Sequence, residues 1–323
     1  MDAIALRQWF ERRQIPIYFL AMASAGILAY WYSGTAALDE AVTPALAAML
    51  FLTFLQVPIA GLGRDLLHPR FLLALLAANF IVVPLLVAVL FPLLPADSGV
   101  QLGVLLVLLM PCIDYVITFS HIGKANSRLL LAATPLLLAI QIVLLPGYLG
   151  LFLGTPITRS DVIKPFIYAF VTLIMMPLAL AALWQWLARR HVQVARVGTV
   201  LDALPVPATA LVLFLVVGAV LPQLGEATAI AMQVAPVYLA FALISPLLGW
   251  LVARVFQLDI AAVRAVAFSS GTRNSLVVLP LALSIPNAAH IMPVVILTQT
   301  MVELMAQLGY VRWIPLLPGS KEK

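Results

Sequence analysis

The chain has 323 residues, of which 64% are hydrophobic and 10% charged, and its mean hydropathy is +1.11. Soluble domains do not have this balance, so the composition excludes a soluble globular protein and indicates a polytopic membrane protein in a lipid bilayer. The net charge of +5 comes from basic residues scattered over short loops without a basic aromatic cluster, which argues against a nucleic-acid partner.

The first residues, MDAIALRQWFERRQ, carry three Arg and two acids and have no small-residue cleavage site, which indicates a retained cytosolic segment. Apolar stretches follow along the whole chain, and each approaches the roughly 20 residues that cross a bilayer. They predict ten transmembrane helices, at residues 15–33, 41–62, 71–94, 99–122, 128–153, 163–188, 198–222, 227–256, 261–284 and 288–313.

Lys and Arg residues predict the orientation, because cytosolic loops keep positive charge. In this arrangement fifteen of them fall on one side of the membrane, and only Arg159 and Lys164 fall on the other. An odd number of spans would destroy this asymmetry. We therefore expect both termini in the cytosol and a multi-pass protein of the plasma or inner membrane.

The longest polar interruption outside the basic loops is GTPITRSDVIK, residues 154–164, near the midpoint of the chain. It separates two sets of five spans, and an odd number in each set gives the two halves opposite orientations, as in an inverted repeat. The predicted organisation is all-α, with a cytosolic N-terminal segment, a first five-helix repeat, a connecting loop, a second five-helix repeat and a cytosolic tail. These parts cover residues 1–14, 15–153, 154–162, 163–313 and 314–323.

Spans four and nine are interrupted by polar residues and are predicted to be discontinuous helices. Span four contains LLMPCIDYVITF, with Pro111, the single Cys112 and Asp114, and span nine contains VAFSSGTRNSLVVLP. Broken helices expose unpaired backbone groups, which are tolerated at membrane depth only where they line a protein cavity. The predicted substrate-binding residues at these breaks are Cys112, Asp114, Ser270, Thr272, Arg273 and Asn274.

Arg273 is the sole basic residue in mid-span, and a buried charge is costly without a partner. Asp114 is its expected partner, either in a structural ion pair that braces the two breaks or in a substrate pathway, and intramembrane charges favour the second reading. Glu303, in span ten, faces either the cavity or the headgroups and helix neighbours. Asn79, in AANFIVVP, is either a helix-packing hydrogen bonder or a substrate-binding residue.

The breaks in spans four and nine resemble those of the bile acid:sodium symporter superfamily. PCIDYVITF is similar to the Cys-Ile-Ala-Met-Val-type motif of its arsenical-resistance branch, the arsenite efflux permeases, and ANFIVVPLL is similar to that branch's Asn-Trp-Val-Ile-Gly-Pro stretch. Glu303 falls where that branch has a Glu in its last span. The resemblance implies a core domain that carries both crossed helices, and a panel domain.

The departures from the family bear on the coupling ion. At the positions where the symporters have polar sodium ligands, this chain has Val116, Ile117 and Leu130. In the ninth span it has Ser269 in place of their Glu and Arg273 in place of their Gln. Apolar side chains cannot replace the hydration oxygens of Na⁺, and a fixed cation repels it. We therefore expect sodium-independent transport coupled to protons, with Asp114 or Glu303 as the proton carrier, or a uniporter. The arsenite permeases' ninth-span Glu falls on Leu276.

Two cargo classes follow from the residues at the breaks. Trivalent arsenic is thiophilic, so Cys112 is a candidate ligand for arsenite, although a lone membrane Cys is also a small buried hydrophobe. Alternatively, Arg273 and the N-terminal dipole of a half-helix hold the carboxylate of a small organic anion. We expect neither a cofactor nor an enzyme, because the sequence lacks HExxH, paired membrane aspartates suited to proteolysis and Asp-rich metal-diphosphate motifs.

Overall fold

The computed structural model describes residues 3–56, 68–112, 115–154, 171–275, 278–279 and 291–318. Within these ranges the chain is helical and forms no β-strand. Its residues divide into two compact units, each assembled from two separate stretches of sequence. The first unit is Met1–Ile59 with Lys164–Thr228, and the second is Ala60–Ile163 with Ala229–Lys323.

The first unit contains helices from both halves of the chain. They are α1 (Ala3–Trp31), a 3₁₀ turn (Ser33–Leu38), α2 (Asp39–Leu55), a π-helical turn (Val171–Met175), α8 (Met176–Ala188), α9 (Val192–Leu201) and α10 (Pro205–Val220) with a 3₁₀ turn (Leu221–Gln223). Helix α10 packs against α1 and α2. The buried face of α2 carries Val42, Leu46, Met49, Leu50 and Phe54, at the spacing of one helical stripe.

The second unit contains both interrupted helices. Its elements are α3 (Pro69–Ala77), a π-helical turn (Ala78–Val82), α4 (Val83–Leu90), a 3₁₀ turn (Phe91–Leu93), α5 (Ser98–Leu108), α6 (Tyr115–Ile122), α7 (Ser127–Leu153), α12 (Ile260–Gly271), α13 (Met292–Trp313) and a 3₁₀ turn (Ile314–Leu316). Helix α11 (Leu224–Val255) begins in the first unit and continues into the second. The resemblance places both crossed helices in one core domain, and α5, α6 and α12 do belong to one unit.

Polar N-caps fix where three helices of the second unit begin. The Asp97 carboxylate accepts from the Val100 N–H at 2.9 Å, and the Asn126 side chain accepts from the Leu129 N–H at 3.3 Å. The Asp259 carboxylate accepts from the N–H groups of residues 261 and 262, both at 3.0 Å. Each cap satisfies backbone donors that the first turn of a helix leaves without partners. Helix α7 ends at Leu153, and the next residue, Gly154, has the left-handed backbone (φ 64°) that commonly terminates helices.

The described helices support part of the ten-span prediction from hydropathy. Six helices within the described ranges are long and apolar enough to cross a membrane, or seven if the α9–α10 pair, bent by 49°, forms one span. The other predicted spans correspond to shorter apolar helices: Ser98–Leu108, Met176–Ala188 and Ile260–Gly271. The chain is therefore an all-helical, multi-pass membrane protein, and the inverted repeat of ten spans is taken up below as a proposal.

Helix α1 begins at Ala3, although the first span was expected to begin at residue 15. Two pairs within the N-terminal stretch have helical spacing. Arg7 donates to Glu11 at 2.7 Å, and the Arg13 guanidinium lies 4.8 Å from the centre of the Trp9 ring. Both pairs are at i,i+4, where side chains on a helix meet and stabilise it. These charged residues therefore lie on the first turns of α1, and the cytosolic position of residues 1–14 stays a prediction.

Candidate functional site

The two interrupted helices meet at their breaks. Between α5 and α6, the Cys112 N–H donates to the Thr272 carbonyl at 3.1 Å, and the Asn274 N–H donates to the Met110 carbonyl at 2.9 Å. These bonds form a short antiparallel bridge in which Pro111 lies opposite Arg273. Pro111 ends α5 because proline has no N–H and disfavours helical backbone in the residue before it. Each break therefore satisfies backbone groups of the other, as buried polar backbone requires.

Arg273 lies at this crossing and is completely buried. Its Nη2 donates to Asn79 Oδ1 at 2.8 Å and to the carbonyls of Ser269 and Ser270 at 2.6 and 2.8 Å. Its Nη1 donates to the carbonyl of Leu108 at 3.4 Å. The three carbonyls come from the last residues of α5 and α12, where the helix dipole is negative. Four protein oxygens thus surround a guanidinium that would otherwise be an unpaired charge in the membrane interior.

The expected partner of Arg273, Asp114, lies outside the described residues, so their pairing stays a prediction. Among the residues that the structure describes, the one ion pair joins Arg7 to Glu11, and Arg273 forms none. Its guanidinium carbon also lies 5.6 Å from the centre of the Phe241 ring, which is a cation–π distance. The groups in direct contact with this guanidinium in the described part of the chain are therefore neutral oxygens and an aromatic face, while the Glu303 carboxylate bonds to the backbone of the same residue.

Glu303 is buried and points at the crossing rather than at the membrane surface. Its Oε1 accepts from the Tyr115 hydroxyl at 2.6 Å, and its Oε2 accepts from the Arg273 backbone N–H at 2.8 Å and from Gln299 Nε2. Tyr115 begins α6, and Arg273 follows α12, so one carboxylate holds the chain at both breaks. Three donors therefore converge on this one buried carboxylate.

Asn79 lies in the π-helical turn between α3 and α4 and is also completely buried. Its Oδ1 accepts from Arg273, while its Nδ2 donates to the Leu75 carbonyl and to Ser269 Oγ, both at 3.0 Å. Pro84 explains the irregular turn, because it cannot donate to the carbonyl of Phe80, and the Tyr148 hydroxyl donates to that carbonyl instead. Single π-turns within helices are frequent at functional sites.

The other predicted residues that the structure describes lie at the same crossing, and they differ in how many hydrogen-bond partners their side chains have. Thr272 Oγ1 donates to the Phe268 carbonyl at 2.6 Å and accepts from Gln307 Nε2 at 2.7 Å, and Ser270 Oγ donates to the Val266 carbonyl at 2.9 Å. The Cys112 side chain is buried. Both amide atoms of Asn274 are buried without a hydrogen-bond partner among the described residues, so this side chain has bonding capacity for a ligand.

A stripe of buried polar residues on α13 escaped the sequence analysis, which singled out Glu303 alone. Gln299, Glu303 and Gln307 are four residues apart and lie on one face, and all three are buried. Gln299 donates to Glu303, and Gln307 donates to Thr272. Their i,i+4,i+8 spacing within an apolar span was the available signal, because polar residues at helical spacing share one face.

An all-helical membrane chain in which two interrupted helices cross around buried polar side chains has the site architecture of a secondary transporter. Residues 43–227, more than half of the chain, match the sodium bile acid symporter family. The chain therefore belongs to the sodium bile acid symporter family, whose members are membrane transporters. The match includes the first break and ends before Arg273 and Glu303. No curated protein matches the chain.

Proposed function

We propose that the protein is a sodium-independent, proton-coupled secondary transporter that exports arsenite across the cell membrane. The observation that carries the sodium independence is the set of four oxygens around the Arg273 guanidinium. Carbonyl and amide oxygens at the ends of two half-helices are the ligands that a hard cation such as Na⁺ prefers. Here they are occupied by a cation that belongs to the chain, so a free cation would have to displace it.

The proposed architecture has ten spans in two inverted five-helix repeats, with both termini in the cytosol. Three Trp–Arg pairs support this orientation, because all lie at helix ends on the side that carries most basic residues. The Arg guanidinium lies over the ring at 4.8 Å for Trp9 and Arg13, 4.0 Å for Trp186 and Arg190, and 5.0 Å for Trp250 and Arg254. Trp is enriched at both membrane–water interfaces and Arg on the cytosolic side, so in each pair the Trp fits a helix end at an interface and the Arg fits the cytosolic one.

Proton coupling is assigned to a carboxylate, because Arg273 stays protonated at any physiological pH and cannot carry a cycling proton. Glu303 is the carboxylate within the described ranges whose bonds reach both breaks. Protonation of Glu303 changes the hydrogen bonds that it accepts from the Tyr115 hydroxyl and from the Arg273 backbone N–H. It therefore changes the contacts that hold both half-helices at the crossing. Asp114, at the first break, is the second proposed carrier.

Arsenite is proposed as the cargo because Cys112 lies at the crossing and a thiolate is a suitable ligand for trivalent arsenic. A single thiol forms a weak site, and an exporter needs a site that releases its cargo. A small organic anion is the alternative cargo. It would have to compete with four protein oxygens for Arg273, although Nε of this side chain has no partner among the described residues.

The test of this proposal is flux in proteoliposomes that contain the purified protein. An imposed pH gradient in choline salts should drive arsenite flux, whereas a sodium gradient at constant pH should not. Flux that follows sodium and ignores the pH gradient would refute the proposed coupling. Small carboxylates measured in the same liposomes separate the two cargo classes, since carboxylate flux without arsenite flux would refute the arsenite assignment.

A further inference from the structure

A small cavity lies inside the second unit, beside the crossing of the interrupted helices. Its walls come from the ends of α5 and α12, from α11 and from α13, and include Leu108, Gly271, Tyr238, Ala242, Gln299 and Glu303. Its volume is about 10 Å³. This is room for one water molecule and for no larger ligand.

Two polar atoms on the walls of this cavity lack hydrogen-bond partners in the described part of the chain. They are the Tyr238 hydroxyl and Gln299 Oε1, on side chains that are 1% and 3% exposed. The orientation of the Gln299 amide is fixed because its Nε2 donates to Glu303, so its Oε1 is left to accept from elsewhere. Buried polar groups without partners are rare, and an ordered water is their usual partner.

Glu303 supplies a second reason for a water at this position. All three of its partners, Tyr115, Gln299 and the Arg273 backbone, donate to the carboxylate. A protonated carboxyl group has a proton to donate and needs an acceptor. The Gln299 amide nitrogen and the Arg273 backbone N–H cannot accept, and the Tyr115 hydroxyl can accept only by turning its own proton to the Arg273 carbonyl, 3.2 Å away, whereas a water in the cavity can accept directly.

We infer that the cavity binds one water molecule, held by Tyr238, Gln299 and Glu303, and that Glu303 exchanges its proton with this water. The inference rests on the proposed proton-coupled function. A hydronium ion that reaches this position from the aqueous phase transfers one proton to a Glu303 oxygen and leaves neutral water behind, and the reverse step releases the proton. Tyr238 and Gln299 are then positioning residues for the water.

The charged and titratable groups around Glu303 come from each neighbouring element. Tyr115 faces it from α6, Arg273 from the second break, Tyr238 from α11 across the cavity, and Tyr310 from its own helix. The tyrosines are neutral and Arg273 is fixed in charge, so the carboxylate is the group among them that can gain or lose the transported proton.

Melting temperatures of purified variants test whether the cavity contains water. Tyr238→Phe removes the hydroxyl and keeps the ring, and Ala242→Val fills the cavity. With a bound water, both variants melt at a lower temperature, because each breaks hydrogen bonds of that water. In a dry cavity, the first variant removes an unpaired buried hydroxyl and the second improves packing, so a melting temperature that is unchanged or raised in both would overturn the inference. Ala240→Val, a half-buried position on the same helix, is the matched control.

Flux separates this inference from the proposed function. In the unaltered protein, the pH gradient should accelerate the flux of arsenite, or of a small carboxylate if arsenite is not transported, and Glu303→Gln should abolish that acceleration. If the water carries the proton, Tyr238→Phe and Ala242→Val should lose most of this acceleration, and their flux should depend on pH differently from that of the unaltered protein. Ala240→Val should keep the acceleration. An acceleration that survives in Glu303→Gln would refute the proposed role of Glu303. If the acceleration requires Glu303 but is unchanged in both cavity variants, the role of the water is refuted and the proposed function is not.

Discussion

The contact between Asn79 and Arg273 gives a quantitative prediction for the stability of the crossing. Arg273→Met keeps the length of the side chain and removes every donor. It gives up charge-assisted hydrogen bonds that contribute about 1.5–3 kcal/mol each, partly offset by the relief from burying a charge, so we expect a loss of about 3–5 kcal/mol. Asn79→Ala removes one of these bonds and also the bonds to Ser269 Oγ and to the Leu75 carbonyl, for about 3 kcal/mol. The double variant should lose about 1–2 kcal/mol less than the sum, because both single changes break the same contact.

The assay is reversible unfolding of the purified protein in mixed micelles, followed for the parent, both single variants and the double variant. Thr53→Ala combined with Arg273→Met is the control pair. The Thr53 hydroxyl bonds within its own helix, to the Met49 carbonyl at 2.9 Å, and belongs to the first compact unit. Losses that add within about 0.5 kcal/mol for Asn79 and Arg273, as expected for the control pair, would refute the contact.

Three further predictions concern single positions. Cys112 should react with a small water-soluble maleimide in one conformational state, and more slowly when cargo is bound. Cys112→Ser should lose arsenite flux. If no state is labelled and Cys112→Ser transports arsenite normally, Cys112 is not the ligand. Glu303→Gln should still exchange cargo at equal pH on both sides, and loss of this exchange as well would point to a structural role. Gly249→Ala should destabilise the protein by about 1–3 kcal/mol, because its new Cβ would lie 2.3 Å from Ser270 Oγ. Gly147→Ala is the control, because a Cβ there meets nothing within 4 Å. Equal losses of unfolding free energy in the two variants would contradict this packing.

The positions of the helices could be predicted because apolar length and helix-breaking residues leave a direct trace in sequence. Pro111 and the polar run from Ser269 to Ser275 marked both breaks, and the structure places these breaks in contact. The start of α1 was not predictable in the same way. Its charged residues are typical of a loop when counted singly, and only their i,i+4 pairing, as for Arg7 and Glu11, makes them compatible with a helix.

The residues that lie at the crossing were easier to predict than the contacts they form, and their role in binding a substrate or a proton stays a prediction. Asn79, Arg273 and Glu303 stood out because polar residues are costly in a membrane span, and all three are buried at or beside the crossing. The surroundings of Arg273 could not be predicted, because most of the oxygens that accept from it are backbone carbonyls. Every residue has a carbonyl, so a sequence does not show which ones a fold leaves available at the end of a half-helix.

The charges at the crossing connect the nature of the cargo with the direction of the proposed coupling. Arg273 is a permanent cation, so an ionised Glu303 balances it, and a protonated Glu303 leaves one positive charge on this pair. An anionic cargo is bound best in the protonated state, because the uncompensated charge attracts it, and proton and anion would then move together. In the proposed mechanism, undissociated arsenous acid would gain nothing from that charge and would form an As–S bond with Cys112, as the thiol proton and one arsenic hydroxyl leave as water. Its binding would then not require a protonated Glu303, as exchange of proton and cargo demands. Carboxylate flux in the direction of the proton gradient would therefore identify an anion symporter, and arsenite flux against it would identify a metalloid exporter.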